Sequence, residues 1–310
     1  MIRAEGLTKQ YGTTLAVDHI DLNIRPREAV GFLGPNGAGK TTTLRILTCF
    51  LPPTSGKATI AGCDVLENSA EVRRQIGYLP ENNPFYEDAE VTEYLEWIAV
   101  MRGISRPERK GKIRRAIERC GAGEAVGKTI GQLSKGYRQR VGLAQTILHD
   151  PPILFLDEPT SGLDPNQARE VLDLIRELKK EKTVMISTHI LPEVQASCDR
   201  VIIIHKGKIA AQGTPQELRS AGQEECRIQL TIRADSKTPE IAPTLGAWPQ
   251  VRKISEPDIQ NGEARYEILC IPRPDIRERI FRTAAEKGWT LLELRKEAAS
   301  LEEIFRQLTL

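Results

Sequence analysis

Nowhere in this 310-residue chain do apolar residues run on for the roughly 18 positions a membrane-spanning helix needs. The opening residues, Met1-Ile2-Arg3-Ala4-Glu5, also lack the apolar stretch of a secretory signal. We therefore expect a chain that does not cross a bilayer by itself and that stays in the cytoplasm. An excess of charge of one sign is missing too. The 44 Lys and Arg are set against 42 Asp and Glu, a formal net charge of +2. The concentrated basic footprint of a nucleic-acid-binding protein is absent, so no nucleic-acid partner is expected. Six cysteines, at 49, 63, 120, 198, 226 and 270, include no Cys-x-x-Cys pair. They read as small buried hydrophobes in a reducing compartment. There is no internal repeat and no low-complexity tract.

What remains is an ordinary globular composition, 40% hydrophobic and 28% charged. The length exceeds what one hydrophobic core usually spans, which predicts one large domain with an appendage, or two domains. The chain opens with short alternating segments at 2–7, 14–20 and 22–24, expected to form an antiparallel layer. An apolar strand at 29–33 leads through a glycine-rich loop into a helix that carries Leu44 and Leu47. Residues 82–150 read as helical, with Thr92 as N-cap of a helix at 93–101 and a charged, solvated helix at 106–120. A second apolar strand at 152–156 precedes an amphipathic helix at 166–180, and β-rich runs follow at 183–187 and 200–205. Strands alternating with helices predict a mostly parallel sheet covered on both faces.

Composition breaks near Ser220-Ala221-Gly222-Gln223. Beyond it, Cys226, Ile228, Leu230 and Ile232 alternate with polar residues, as do Tyr266, Ile268 and Cys270. Two helices are expected after them, at 275–286 and behind a capping box made by Ser300 and Glu303. The reading is a domain at 1–220, whose helical subdomain spans 82–150, and a small α+β accessory domain at 221–310.

Gly34-Pro35-Asn36-Gly37-Ala38-Gly39-Lys40-Thr41 is a Gly, four residues, then Gly-Lys-Thr, with Thr42 next. Glycines let backbone N–H groups curl around phosphate oxygens, and the helix behind turns its positive end to the anion. Lys40 would meet the β- and γ-phosphates, and the Thr41 hydroxyl can ligate Mg²⁺. Ile153-Leu154-Phe155-Leu156-Asp157-Glu158 ends a buried strand in two carboxylates at the edge where open α/β sheets bind ligands. Asp157 is suited to Mg²⁺ and Glu158 to polarising an attacking water as general base.

Leu133-Ser134-Lys135-Gly136-Tyr137-Arg138-Gln139-Arg140 resembles the signature sequence of ABC ATPases. Ser161-Gly162-Leu163-Asp164 resembles that family's D-loop, and Ser187-Thr188-His189 its switch histidine. The motifs stand in the family's order from Tyr11 to about Gln216. The resemblance implies a P-loop NTPase fold of the ABC cassette type: a RecA-like α/β core, an antiparallel β layer and a helical subdomain. It implies ATP as ligand, with Tyr11 stacked on adenine, the loop from Gly34 to Thr42 around the phosphates, and His189 on the γ-phosphate. Ser134 and Gly136 would contact ATP held by a second copy of the cassette, and Asp164 would couple the two sites. Lys135 and Tyr137 depart from the usual signature. Glu81, in Gly77-Tyr78-Leu79-Pro80-Glu81, stands where most members carry a Gln that approaches Mg²⁺. Its carboxylate keeps an oxygen ligand and loses the amide donor.

The Glu81 variant with Asn82-Asn83-Pro84-Phe85-Tyr86 after it, Lys135 and the tail Leu301-Glu302-Glu303-Ile304-Phe305-Arg306-Gln307-Leu308-Thr309 resemble the branch of exporters that pairs its cassette with a separately encoded six-helix permease. Multidrug, antibiotic-resistance and gliding-motility systems belong there. The expectation is thus the ATP-hydrolysing subunit of a transporter, peripheral on the cytoplasmic face of the membrane. A soluble ABC ATPase acting on nucleic acid, ribosomes or an assembly scaffold is the competing reading. Such proteins show paired cassettes, a long coiled coil or a basic surface, none of which the sequence has.

Overall fold

Strands buried on both faces belong inside a parallel sheet, and three stretches are buried at every position: Ala29–Leu33, Ile153–Asp157 and Thr183–Thr188. In the computed structural model, which describes residues 1–221, 226–271, 274–297 and 301–309, they lie side by side. Along the chain, β1 (Ile2–Tyr11), β2 (Thr14–Ile24), β3 (Ala29–Leu33) and α1 (Lys40–Leu47) come first. After them stand β4 (Ser55–Ile60), β5 (Cys63–Asp64), α2 (Ser69–Gln75) and β6 (Ile76–Leu79). The helical stretch holds α3 (Val91–Met101), α4 (Arg106–Arg119) and α5 (Lys135–Ile147). Then follow β7 (Ile153–Asp157), α6 (Pro165–Leu178), β8 (Thr183–Thr188) and α7 (Leu191–Ser197). The strands β9 (Arg200–His205) and β10 (Lys208–Gly213) precede α8 (Pro215–Ala221).

The larger sheet runs β10-β9-β3-β8-β7-β6 and is parallel except for the β9–β10 hairpin. The smaller one, β2-β1-β4-β5, is antiparallel throughout. Between them lies α1, which touches β2 and β4 of one sheet and β7 of the other. Leu44, Ile46 and Leu47 of α1 are fully buried in one core with Ile2, Leu7, Phe32 and Phe155. That packing aims the start of α1 at the carboxyl edge of the parallel sheet.

Three local expectations change. The segments at 14–20 and 22–24 form one strand, because the chain bulges at His19 (φ 50), with a register shift between Leu7 and Lys9, and does not break. α3 starts at Val91 behind Glu90, and Thr92 lies inside its first turn, its hydroxyl donating to the Glu90 carboxylate. Val91 is fully buried, so the apolar face begins one position before Thr92. α6 starts at Pro165, whose missing N–H is harmless at a first helical position.

Compact packing divides the chain into Met1–Pro215 and Gln216–Leu308. The second unit contains β11 (Cys226–Arg233), α9 (Thr238–Gly246), β12 (Val251–Ile254) and β13 (Asp258–Gln260). It continues with β14 (Glu263–Cys270), α10 (Arg277–Lys287), β15 (Leu291–Glu297) and α11 (Leu301–Thr309). Its antiparallel sheet runs β12-β14-β11-β15, with β13 also paired to β14. The alternating residues Cys226, Ile228, Leu230, Ile232, Tyr266, Ile268 and Cys270 pack with Ile241, Leu245 and Ile280 of the helices. Gly222 and Gln223 of the expected break, and Ser300 of the expected capping box, lie outside the described residues. Among the described residues no helix is long and apolar enough to cross a membrane.

His149, just past α5, ties that helix to β6. Its Nε2 donates to the Ile76 carbonyl at 3.0 Å, while Nδ1 is buried without a partner. Burial, reinforced by Arg102, pushes its pKa down from 6.5 to about 4. The unfolded chain therefore takes up a proton that the folded one refuses between those values. The stabilisation is present above pH 6.5 and lost as pH falls toward about 4; its upper limit is about 3 kcal/mol. His149→Gln should flatten the fall in unfolding free energy across that window, measured by denaturant titration against wild type. An unchanged slope would exclude His149 as its source.

Candidate nucleotide site

Leaving β3, the chain turns through Gly34–Gly39 into α1. Gly37 (φ 76) and Gly39 (φ 108) adopt left-handed backbone that side chains rarely tolerate. A Cβ on Gly39 would stand 2.4 Å from the Ala16 carbonyl oxygen, and one on Gly34 would stand 2.5 Å from that of Ile204. The loop is thus wedged against backbone at the N-terminus of α1, a position that favours anions. Lys40 is buried, and its Nζ donates to the carbonyls of Gly34 at 2.7 Å and Pro35 at 3.3 Å. The same ammonium lies 3.4 Å from Glu158 Oε1.

β7 brings Asp157 and Glu158 to the same edge. Asp157 is fully buried; its Oδ1 accepts from the Ser187 hydroxyl and, at 3.4 Å, from the Thr41 hydroxyl. Its Oδ2 has no partner. Burial raises the Asp157 pKa above the usual carboxylate value, against the lowering effect of the hydrogen bonds from Ser187 and Thr41. Glu158 sits at φ 48, a strained conformation for a residue with a Cβ, which costs on the order of 1–3 kcal/mol. The strain is held by its backbone N–H, which donates to Ser187 at the carbonyl (3.0 Å) and at the hydroxyl (3.2 Å). The Glu158 carboxylate then meets His189 Nδ1, with its two oxygens at 3.1 and 3.0 Å.

These groups border a cleft of about 530 Å³, lined by Asn36, Gly37, Ala38, Gly39, Lys40, Thr41, Thr42, Glu81, Glu158, Ser161 and His189, with Ala16 at one side. Gly34 and Pro35 stand behind it, acting through the carbonyls that hold Lys40, and Asp157 lies beneath. Four expected residues stand elsewhere. Tyr11, at the end of β1, is half-exposed with Lys9 Nζ 5.4 Å from its ring centre, and does not line the cleft. Ser134 caps α5, its Oγ accepting from the Tyr137 N–H at 3.4 Å. Gly136 lies under Gln167, whose Oε1 a Cβ there would meet at 2.4 Å. Asp164 caps α6, accepting from the amides of Asn166 at 3.0 Å and Gln167 at 2.9 Å. The sequence groups Ser187 with the switch histidine and marks no separate role for it. Ser187 supplies the hydroxyl that joins Asp157 to Glu158, and its one signal is a polar residue directly after the apolar run Val184-Met185-Ile186 of a buried strand.

Among the described residues, no three His, Cys, Asp or Glu side chains converge to enclose a metal. An ion such as Mg²⁺ does not need them, because it keeps waters and takes phosphate oxygens with one or two protein ligands. The buried, unpartnered Asp157 Oδ2 beside the Thr41 hydroxyl is an oxygen set that fits it.

The ABC transporter family model matches residues 17–161, from β2 to the turn after Glu158. Over 310 residues the chain is 35% identical to the ABC transporter ATP-binding protein YxlF of Bacillus subtilis, covering 98% of each. The chain belongs to the ABC transporter family. It is 33% identical over 313 residues to the daunorubicin/doxorubicin resistance ATP-binding protein DrrA of Streptomyces peucetius, covering 99% of this chain and 92% of that one. Among solved structures, a dimeric ATP-binding cassette in a post-hydrolysis state, bound to ADP and Pi, superposes with a TM-score of 0.64. It is 26% identical, and the match covers 69% of this chain and 98% of that one. The cassette is the ATP-binding subunit of an ABC transporter and an ATPase, on a P-loop NTPase fold with an antiparallel β layer.

Proposed function

We propose that this cassette binds ATP with Mg²⁺ in the 530 Å³ cleft and hydrolyses it to drive export through a separately encoded membrane permease. The observation that carries the reading is the meeting of Lys40, Glu158 and His189 over one loop, with Asp157 beneath it. The amides from Asn36 to Thr42 and the Lys40 ammonium bind the β- and γ-phosphates. Thr41 and Asp157 would hold Mg²⁺, with Glu81 as a further oxygen ligand, and the ion would neutralise charge on the phosphate oxygens. Glu158 takes the proton of the attacking water. His189 keeps the Glu158 carboxylate in place through Nδ1 and reaches the γ-phosphate with its other ring nitrogen.

Ser134 and Gly136 stand away from this cleft at the start of α5, which suits a role on the ATP of a second cassette. We take the working state to be a dimer, with Tyr11 on adenine and Asp164 linking the two sites. Relatives named for multidrug, bacitracin and daunorubicin/doxorubicin support the exporter reading. The cassette then works from the cytoplasmic face, its 81–94 segment beneath the permease, while the accessory domain from 221 onward steadies the dimer. A tagged Glu158→Gln cassette, purified from membranes with ATP, should bring down a polytopic membrane protein. Recovery of soluble partners alone would overturn the transport reading and leave the ATPase chemistry standing.

A further inference from the structure

α7 begins two residues after His189 and is pressed onto β3: a Cβ on Gly31 would come within 2.2 Å of Val194 Cγ1. The helix thus packs closely on the strand that feeds the phosphate loop. Glu193 is buried on it. Burying a carboxyl is costly unless hydrogen bonds replace its water, and here two do. Thr160 Oγ1 donates to Glu193 Oε1 at 2.6 Å, and Thr188 Oγ1 donates to Oε2 at 2.9 Å.

The two donors matter for where they stand. Thr160 is two residues past Glu158, and Thr188 directly precedes His189. The Thr188 hydroxyl also accepts from the Ile190 N–H at 3.0 Å, and the Thr188 carbonyl accepts from the Gly34 N–H at 3.3 Å. One carboxyl thus fastens the loop that carries Glu158 to the loop that carries His189. Strained backbone such as that of Glu158 persists only where its surroundings over-determine it. Ser187 holds the near side of that residue, and Thr160 with Glu193 holds the far side.

We propose that Glu193 is a positioning residue for ATP hydrolysis, a clamp between the Glu158 and His189 loops that keeps the two side chains in contact. The proposal rests on the reading of Glu158 and His189 as the hydrolytic pair. Glu193 lines no part of the nucleotide cleft, so loss of the clamp should slow turnover and leave ATP binding nearly alone.

The test is steady-state ATPase kinetics on wild type, Glu193→Ala, Thr160→Val and the double variant, at a temperature well below each Tm. Misplacing a reacting group by about 1 Å costs up to about 100-fold. Glu193→Ala and Thr160→Val should therefore lower kcat by at least about 10-fold, with KM for ATP within about 3-fold of wild type. Because both act through one contact, the double variant should fall no further than the worse single one. Full kcat in both single variants, or additive losses with kcat and KM moving together, would overturn the clamp. Should Glu193→Ala fail to fold, Thr160→Val, nearly the same shape, decides alone. Wild-type protein without ATP turnover would sink the hydrolysis reading and the clamp with it. Turnover in wild type that survives in both variants sinks only the clamp.

Discussion

Glu158→Gln should abolish ATP turnover while leaving ATP binding intact. A general base contributes about 10²–10⁴-fold, and the amide has the size of the carboxylate without its basicity. Beyond the contacts of its carboxylate with Lys40 and His189, the substitution has little to disturb. The strained backbone of Glu158 is fixed by its N–H on Ser187, a bond that the side chain does not enter. The phosphate loop, wedged against Ala16 and Ile204, keeps its shape. Phosphate release measured beside the ATP-induced rise in Tm separates the two properties. Turnover within about 10-fold of wild type would remove Glu158 as the base. Loss of the Tm rise would instead show that Glu158 helps to hold the nucleotide.

Lys40→Met should have the opposite signature, with ATP affinity lost before chemistry can be measured. The lysine is not a mobile surface cation. Its ammonium is buried and held by the carbonyls of Gly34 and Pro35 at the mouth of α1. Methionine fills much of the same volume and supplies no donor and no charge. Each hydrogen bond to a charged group is worth about 1.5–3 kcal/mol, so losing two or more phosphate contacts should raise Kd by at least about 100-fold. Stabilisation by a ligand follows its concentration relative to Kd, so the ATP-induced Tm rise should vanish at concentrations that saturate wild type. A retained rise would mean that the backbone amides carry the anion alone.

The parts of the site that were legible in the sequence are those encoded by local spacing. The loop from Gly34 to Thr42, the apolar run into Asp157 and Glu158, and the strand before His189 each sit within a few consecutive residues. Parallel pairing then brings their ends together, as expected of apolar strands at 29–33 and 152–156 and a β-rich run at 183–187. What stayed hidden depends on neighbours distant in sequence. Ser187 reaches Asp157 across a strand pairing, and Glu193 meets Thr160 with α6 and β8 between them in the chain. No local pattern marks either as more than a polar residue among apolar ones. β4 was missed for another reason. Its first half, Ser55-Gly56-Lys57, is exposed, and only Ala58 and Ile60 turn inward, too few for an alternating signal. The start of α3 was displaced because a threonine suited to capping lies one residue beyond the buried Val91.

The sheet order carries a consequence for how the chain comes into being. β8 lies between β3 and β7, so the strand that bears the phosphate loop never pairs with the strand that bears the acids. Both are synthesised before the strand that joins them. Until β8 is made, no strand joins the glycine-loop strand to the strand that ends in both carboxylates. Contacts between distant segments pay their loop-closure entropy first and form slowly. The edge that carries Lys40, Glu158 and His189 is complete only once β8 has paired with both β3 and β7.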